Sequence, residues 1–577
     1  MADNTNSKHI NHINQLLHNK GIKQEDRIGV LTTLFEKRKS NTASASASAS
    51  ASASTIDPRF SDIMDAINAI DFTNKEISQE IFMLFGSKLT RYKLDQFYTP
   101  LTISEFITGL MIPGKAAVDP AGGTGDLLVH YTGETHIWDI DEHALELCRF
   151  NYELNMKTGY HIQCKNSLAI AATTAAAFDY VTMNPPFGSS TVITDDNILQ
   201  HYELGVGRKK QEIGILFLEL GLKLLKPDGI LFAIVPAGYV GNTTKPCMDL
   251  RGLLLRHRVI ASIELPKQSF KRSGTGVNTY ILMIQKTASG ASGASASEPY
   301  PICISTVDNI GYELTKANTP IKYKIIRETG EICMKDGVNI VDNDLVDCAS
   351  RLAVFARDCN MENMKHATAD DSASVSTTTA AAPYESVLSI SLQHLILDVK
   401  RYSSKYVSLV TKLKSSPGCV PIHNIARLVL KQTKIEKHKK YKYIDIGEIS
   451  TPLYGSKELY GWELPSRAKY SLQKYDILVS KLEGNVSYCV ILDDSDNYIS
   501  TNGVSVIRPN SADALYVLFA NITKKEFIIQ HNAYLTGSIM ASLSDSDIGE
   551  IMMDTRIDLE MTKKMVEALT ALNALRL

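Results

Sequence analysis

The sequence predicts an α/β protein whose main body is a doubly wound sheet of seven strands, with a smaller α+β module behind it that ends in a helix. Three observations predict it. Short apolar runs alternate with helix-period runs through the first two thirds of the chain, which implies a parallel sheet covered on both faces. The first of these runs ends in a glycine-rich turn, "VDPAGGTGDLL". Low-complexity segments then separate this body from a β-rich stretch of different character. At 577 residues the chain has room for three or four domains and a large buried core.

The N-terminus, "MADNTNSKHINHINQLLHNK", is polar and lacks the apolar heart of a signal peptide. No run approaches the roughly 18 apolar residues of a membrane span. Nine scattered cysteines, without a CxxC pair, argue for reduced thiols and against a zinc cluster, so no metal ligand set is read. The expectation is a soluble protein of the cytoplasm with no membrane partner. An Ala-Ser repeat, Ala43 to Ser54, reads as a flexible linker closing an N-terminal helical piece, residues 1–55.

The body, residues 56–365, carries the expected strands: "AAVDPAGGTG" (116–125), "THIWDID" (135–141), "HIQCKNS" (161–167), "DYVTMNPP" (179–186), "GILFAIVP" (229–236), "VIASIELP" (259–266) and "NTYILMIQ" (278–285). Helical patterns such as "DEHALELCRFNYELN" and "ILFLELGLKLLK" lie between them. A second low-complexity segment spans Thr287 to Pro299. A third, residues 366–383, is a linker, and the module of residues 384–577 follows. Its short β segments lead to "LEMTKKMVEALTALNALRL", an apolar-periodic helix that must bury one face.

Gly122, Gly123 and Gly125 allow a tight turn and close approach of a ligand to the backbone. The turn lacks the GK[ST] of a phosphate-binding loop and the GxGxxG spacing of dinucleotide folds. Asp139, at the end of the second strand, is placed to accept hydrogen bonds from ribose hydroxyls, while Asp141 is placed to cap the helix that starts near Glu142. Asn166, after the third strand, could reach an adenine edge, though Asn is also common in turns. An adenosine-binding site without phosphate chemistry favours S-adenosylmethionine over NAD or ATP.

The chemistry is expected at "NPPF", Asn184, Pro185, Pro186 and Phe187. Two prolines stiffen the strand end and remove donors, which frees carbonyls for a ligand. Asn184 and the Pro185 carbonyl can accept both N–H groups of an aromatic amine and so localise its lone pair. Phe187 can stack on the base, worth about 1–3 kcal/mol. Positioning then does most of the work, and no strong general base is needed.

On these residues the chain resembles the N6-adenine DNA methyltransferases, closest to modification subunits of type I restriction-modification systems. "LDQFYTPLTISEFI" (94–107) looks like the family's first motif, "DPAGGTGDLL" like its second and "NPPF" like its catalytic motif. "FKRSGTGVNTYILMIQK" (270–286), "ISTVDNIGYELTK" (304–316) and "NDL" (343–345) look like the end of that domain. The resemblance implies the seven-stranded S-adenosylmethionine-dependent methyltransferase fold. It implies that Gln96, Phe97, Tyr98, Thr99 and Pro100 close over the cofactor, with Asp119, Gly122, Gly123, Thr124, Asp139 and Asn166 around it. Asn166 departs from the family, in which many members carry an aspartate.

Residues about 415 to 553 resemble a target-recognition domain of type I specificity subunits, through "YKYIDIGEIS", "YDILVSKLEGNVSYCVIL", "STNGVSVIRP" and "TGSIMASLSDSDIGEIMM". Charge adds its own argument. The whole chain carries a net −2, yet residues 401–450 hold eleven Lys/Arg against three Asp/Glu. "KQTKIEKHKKYKY" interleaves lysines with tyrosines, as a phosphate-contacting surface would. A solvated charged face is the plain alternative.

The expected function is therefore site-specific methylation of adenine N6 in double-stranded DNA within a restriction-modification system. A single recognition domain invites dimerisation through the C-terminal helix, and a separate specificity subunit would serve equally. Cleavage would need a restriction subunit, since no nuclease pattern is visible. Two alternatives stand beside this: an RNA or protein-glutamine amino-methyltransferase, and a non-catalytic DNA-binding subunit.

Overall fold

The computed structural model describes residues 3–23, 26–46, 57–70, 72, 78, 81, 85, 99–170, 176–186, 191–267, 269–270, 276–287, 300–314, 321–335, 337–365, 396–484, 486–494, 497–537 and 541–576. The chain divides into two compact units, Met1–Tyr239 with Thr244–Leu395, and Val240–Thr243 with Ile396–Leu577. Most of the Ala-Ser repeat and the other two low-complexity segments lie outside the described residues, apart from Thr287.

The first unit is built on eight strands: β1 (Ala117–Asp119), β2 (Thr135–Asp139), β3 (Tyr160–Cys164), β4 (Phe178–Met183), β5 (Leu225–Pro236), β6 (Arg258–Glu264), β7 (Thr279–Gln285) and β8 (Cys303–Thr306). Their order across the sheet is β8-β6-β7-β5-β4-β1-β2-β3. All seven expected strands are present, and β8 adds an eighth beside β6. The sheet is mixed rather than wholly parallel, because β7 runs antiparallel to both β5 and β6. Sequence could not reveal that direction: a strand buried on both faces reads as one apolar run either way. The architecture is the S-adenosylmethionine-dependent methyltransferase fold that the motifs imply.

The helices of this unit are α1 (Asp3–Asn19), α2 (Arg27–Ser46), α3 (Ser61–Asn68), α4 (Leu101–Leu110), α5 (Glu142–Leu154), α6 (Ile213–Leu224), α7 (Lys245–Leu254) and α8 (Asp344–Asp358). The backbone of α2 runs four residues into the repeat read as a linker, to Ser46. α5 is buried on two sides, with only Glu142, His143 and Glu146 exposed. Leu145, Cys148 and Tyr152 pack on the sheet, while Leu147, Phe150 and Leu154 share a core with Ile13, Leu17, Leu34 and Phe35 of α1 and α2. The result is a third layer over the sheet, supplied by the N-terminal helices.

β1 has β2 on one side and β4 on the other, so the winding reverses at this point. In open α/β sheets a crevice opens there, at the carboxyl ends of the strands. Asp119, Asp139 and Met183 are the last residues of the three strands concerned.

The second unit has two four-stranded sheets. The strands of these two sheets are β9 (Ala426–Leu428), β10 (Lys440–Ile444), β11 (Lys457–Tyr460), β12 (Ala468–Ser471), β13 (Ile477–Ser480), β14 (Tyr488–Val490), β15 (Tyr498–Thr501) and β16 (Val504–Pro509). One sheet runs β9-β16-β13-β14 and the other β11-β10-β15-β12. Helices α9 (Ser404–Ser415), α10 (Ala512–Ile522), α11 (Lys525–Tyr534) and α12 (Leu559–Arg576) complete it. α12 sets Val566 and Leu569 into the core of this unit and leaves Met561, Met565, Leu572 and Leu575 exposed.

Candidate functional site

The glycine turn after β1 is locked by its own backbone. The Gly122 N–H donates to the Trp138 carbonyl at 2.9 Å, and the Gly125 N–H to the Gly122 carbonyl at 2.7 Å. Gly125 has φ +75°, and a Cβ there would lie 2.5 Å from both Cys148 Sγ and Tyr152 Cε2. A Cβ on Gly122 would lie 2.5 Å from Ile137 Cγ2. Gly123, at φ +50°, faces open space. Packing therefore demands two of these glycines, and the third leaves room for a ligand.

Asp139 stands where the sequence places it, at the end of β2. Its Oδ2 accepts the Gly123 N–H at 2.8 Å and its Oδ1 accepts the Asp141 N–H at 2.9 Å. The carboxylate is thus fixed in orientation, with lone pairs left for further donors. Asp141 caps α5 as expected, accepting the His143 N–H at 3.0 Å. Asn166 is exposed, and its Oδ1 accepts the Leu168 N–H at 3.1 Å. That is the turn-forming use of asparagine, and it leaves the amide nitrogen and one lone pair of Oδ1 for an adenine edge.

Asp119 is buried, and its Oδ1 accepts the Ala121 N–H at 3.1 Å. Asp126, which sequence reasoning passed over, is the polar centre of the site. It accepts Thr124 Oγ1 at 2.8 Å, Asn151 Nδ2 at 3.1 Å and the Thr99 N–H at 3.4 Å. Its own carbonyl accepts Ser104 Oγ at 2.7 Å. The signal that could have found it was Asn151, a polar residue set among the apolar positions of "CRFNYELN".

Burial drives the electrostatics here. Desolvation pushes the Asp119 carboxyl well above the usual carboxylate range, with Asp139 and Asp126 adding to the rise. It pushes Asp126 up to about 6 against its three hydrogen bonds, and raises Asp139 as well. None of these three acids forms an ion pair among the described residues. A cationic ligand would offset that desolvation, draw the carboxyls back towards their charged form and be held, whereas a phosphate would find no basic partner among these three acids. The residues present fit S-adenosylmethionine, which carries a cationic sulfonium and ammonium against one carboxylate and has no phosphate.

At the end of β4, Asn184 Nδ2 donates to Thr99 Oγ1 at 3.3 Å. Thr99 thus bridges Asp126 and Asn184, tying the glycine turn to the expected catalytic loop. Asn184 Oδ1 is buried and has no hydrogen-bond partner among the described residues. A buried acceptor left unpaired costs about 1–3 kcal/mol, which a donor from a ligand would recover. Pro185 is buried and Pro186 half-buried. The loop runs close over α6, since a Cβ on Gly214 would lie 3.2 Å from the Pro186 carbonyl oxygen. Pro100 stands just before α4, where its missing N–H costs nothing. Gln96, Phe97, Tyr98 and Phe187 lie outside the described residues.

The second unit carries its own candidate surface. Lys431, Lys434, Lys437, Lys439 and Lys440 are exposed, as the charge excess predicts. The interleaved tyrosines differ from expectation. Tyr441 and Tyr443 point into a small core with Ala468 and Ile499, because alternate residues of a strand face opposite sides. Exposed aromatics come instead from β11 and the turn after it: Tyr460 is 40% exposed and Trp462 65%. Their rings are parallel within 11° at 6.5 Å. The Gly461 N–H donates to the Lys439 carbonyl at 2.9 Å and the Trp462 N–H to that of Lys437 at 3.2 Å, so this aromatic pair sits against the lysine segment. Arg401 contributes nothing to this surface, being spent on Asp547 at 3.1 Å and the face of Tyr534.

Residues 85–296 match the family model described as N-6 DNA Methylase. No curated protein matches the chain. Among solved structures, the chain is similar to a putative class I S-adenosylmethionine-dependent methyltransferase from Listeria monocytogenes, at 18% identity over 54% of this chain and 95% of that one, with a TM-score of 0.40. It is similar to the methyltransferase subunit of a type I restriction-modification system from Streptococcus thermophilus, at 15% identity over 63% and 80% of the two chains, TM-score 0.38. It is also similar to the type IIG restriction endonuclease BpuSI, at 13% identity over 98% of this chain and 73% of that one, TM-score 0.41. No described helix is long and apolar enough to cross a membrane.

Proposed function

We propose, from a chain with an N-6 DNA methylase segment at residues 85–296, that it methylates the exocyclic N6 of adenine in duplex DNA at a specific sequence. It serves as the modification component of a restriction-modification system in the cytoplasm. The observation that carries the chemistry is Asn184 Oδ1, a buried acceptor without a partner among the described residues, directly after β4 and beside the glycine turn.

S-adenosylmethionine, when bound, supplies an electrophilic methyl group on a sulfonium. The chain's own residues do the rest. Asp119, Asp126 and Asp139 favour the cationic cofactor, and Asp139 takes the ribose hydroxyls. Thr99 turns the Asn184 amide so that its nitrogen is engaged and its oxygen is free. Asn184 Oδ1 then accepts one amino N–H of a flipped adenine and the Pro185 carbonyl accepts the other. Both bonds draw electron density back onto nitrogen, and Pro185 and Pro186 hold the acceptors rigid. Phe187 offers the stacking face.

Choice of the target base falls to the second unit. Its exposed lysines contact phosphates, and the exposed pair Tyr460 and Trp462 offers flat faces beside them. The exposed stripe Met561, Met565, Leu572 and Leu575 on α12 supports pairing with a second copy or with a specificity subunit.

The test is transfer of a labelled methyl group to unmethylated duplex DNA, followed by mapping. Label on N6 of adenine in one short motif, absent with Asn184→Ala, is the expected result. Label on RNA or on a protein glutamine instead of DNA would replace this reading with the amino-methyltransferase alternative. Cofactor binding without transfer to any substrate would favour a non-catalytic subunit.

A further inference from the structure

Away from the crevice, on the outer edge of the sheet, two histidines and a glutamate converge. We propose that Glu134, His136 and His161 form a binding site for a divalent transition-metal ion of the zinc type. Their ligand atoms all lie within 4.8 Å of one another. The Nε2 atoms of both rings point at the same Glu134 oxygen, Oε1, from 3.0 Å for His136 and 3.4 Å for His161. A tetrahedral ion bonded at about 2.0–2.1 Å to each donor spaces its ligand atoms about 3.4 Å apart. The three groups therefore stand near the required separation before any ion arrives.

The backbone holds them there. β2 and β3 pair in parallel with His136 opposite His161, which stacks the rings at 4.6 Å between centroids. Phe178 packs edge-on against His136 at 5.1 Å and limits its rotation. The Glu134 carbonyl accepts the Ala117 N–H at 2.9 Å, and the next residue, Thr135, donates its N–H to Gly159 at 3.0 Å. Lys157 ties down the preceding loop through the carbonyls of Tyr131 and Gly133. Such a donor set is organised by the fold rather than assembled by the ligand, so little order is lost on binding.

The chemistry of the donors selects the ion. Two imidazoles with one carboxylate suit zinc, copper or nickel far better than magnesium or calcium, which prefer oxygen. Three protein ligands leave a fourth position for water, and the Glu134 and His161 side chains, each about half exposed, leave it accessible. An ion here would clamp β3, the last strand of the sheet, to β2. Asp139 stands at the far end of β2, about 10 Å along the strand, so the ion does not touch the proposed cofactor site. The inference is independent of the methyl-transfer reading.

The experiment titrates the full chain, stripped with chelator, with zinc chloride alone in a calorimeter. A parallel titration with cobalt(II) reads the visible bands of a four-coordinate ion. One ion per chain is expected, with affinity reduced at least about 100-fold, and the cobalt bands lost, in His161→Ala and Glu134→Gln. Thermal melts of the same variants in the absence of metal report that the fold is intact. Zinc binding unchanged in His161→Ala would place the ion elsewhere, on the thiols for instance, and overturn the proposal. Absence of binding up to millimolar zinc would overturn it as well.

Discussion

At Asn184 the amide nitrogen is engaged by Thr99 and the oxygen is buried without a partner among the described residues. Asn184→Ala removes that acceptor and is expected to lower kcat by about 100-fold or more, the scale seen when one preorganised polar group leaves a reaction centre. Equilibrium binding of S-adenosylmethionine should be almost unchanged, which separates a chemical loss from a folding loss. Asp126 gives a pH-dependent prediction. Its carboxyl is raised from the ordinary 3.8 to about 6 by desolvation. A group raised in this way stabilises the fold fully below about pH 4, and that contribution is lost as pH rises through 6. Thermal melts of the cofactor-free protein should show wild type losing up to about 3 kcal/mol relative to Asp126→Asn between pH 4 and 7.5. A difference that stays constant over that range would contradict the buried, proton-linked carboxyl.

Among the elements, the glycine turn and the first turn of α6 are tight places beside the crevice. Gly125→Ala sets a Cβ 2.5 Å from Cys148 and Tyr152 at φ +75°. Overpacking together with a left-handed backbone should cost about 2–4 kcal/mol, read as a fall in Tm and a weakened cofactor site. Gly214 acts on the other half. Its Cβ would lie 2.7 Å from the Tyr239 hydroxyl and 3.2 Å from the Pro186 carbonyl. Gly214→Ala should displace the loop that carries Asn184, lowering kcat while the Kd for the cofactor holds. Equal losses in both would mean that α6 supports the whole crevice rather than that loop.

For the whole molecule, the proposed activity on DNA would need both the chemistry of one unit and the surface of the other. Replacing Lys437, Lys439 and Lys440 together by alanine should weaken duplex binding on every sequence alike. The slope of log K against log salt should fall by about 0.9 for each phosphate that no longer meets a lysine, so by about 2–3. Binding that keeps its salt slope but changes its preferred motif would mean that these lysines read bases. Deleting residues 366–577 should abolish methylation of the specific motif. Retained activity on RNA or protein after that deletion would favour the alternative substrates.

Much of this was legible in one dimension. The seven strands, the glycine turn, the cap on α5 and the NPP segment all depend on local rules: periodicity, φ preferences and side-chain-to-backbone bonds within a few residues. The expected ribose position of Asp139 also follows, since the end of a parallel strand beside the first βα turn faces the crevice in any doubly wound sheet. What stayed hidden was set by residues far apart in sequence. The antiparallel direction of β7 and the addition of β8 leave no mark on runs that are apolar on both faces. Asp126 becomes central through Thr99 and Asn151, each more than twenty positions away, and Tyr441 and Tyr443 turn inward while Trp462 faces out. The His136–His161 pair exists only because β2 and β3 pair in one register, and a shift of one residue would have put the rings on opposite faces. Local chemistry thus determined the strands and motif residues of this chain, whereas the partners of its buried charges and the convergence of its exposed ones were decided by packing, which brings distant residues within hydrogen-bond range.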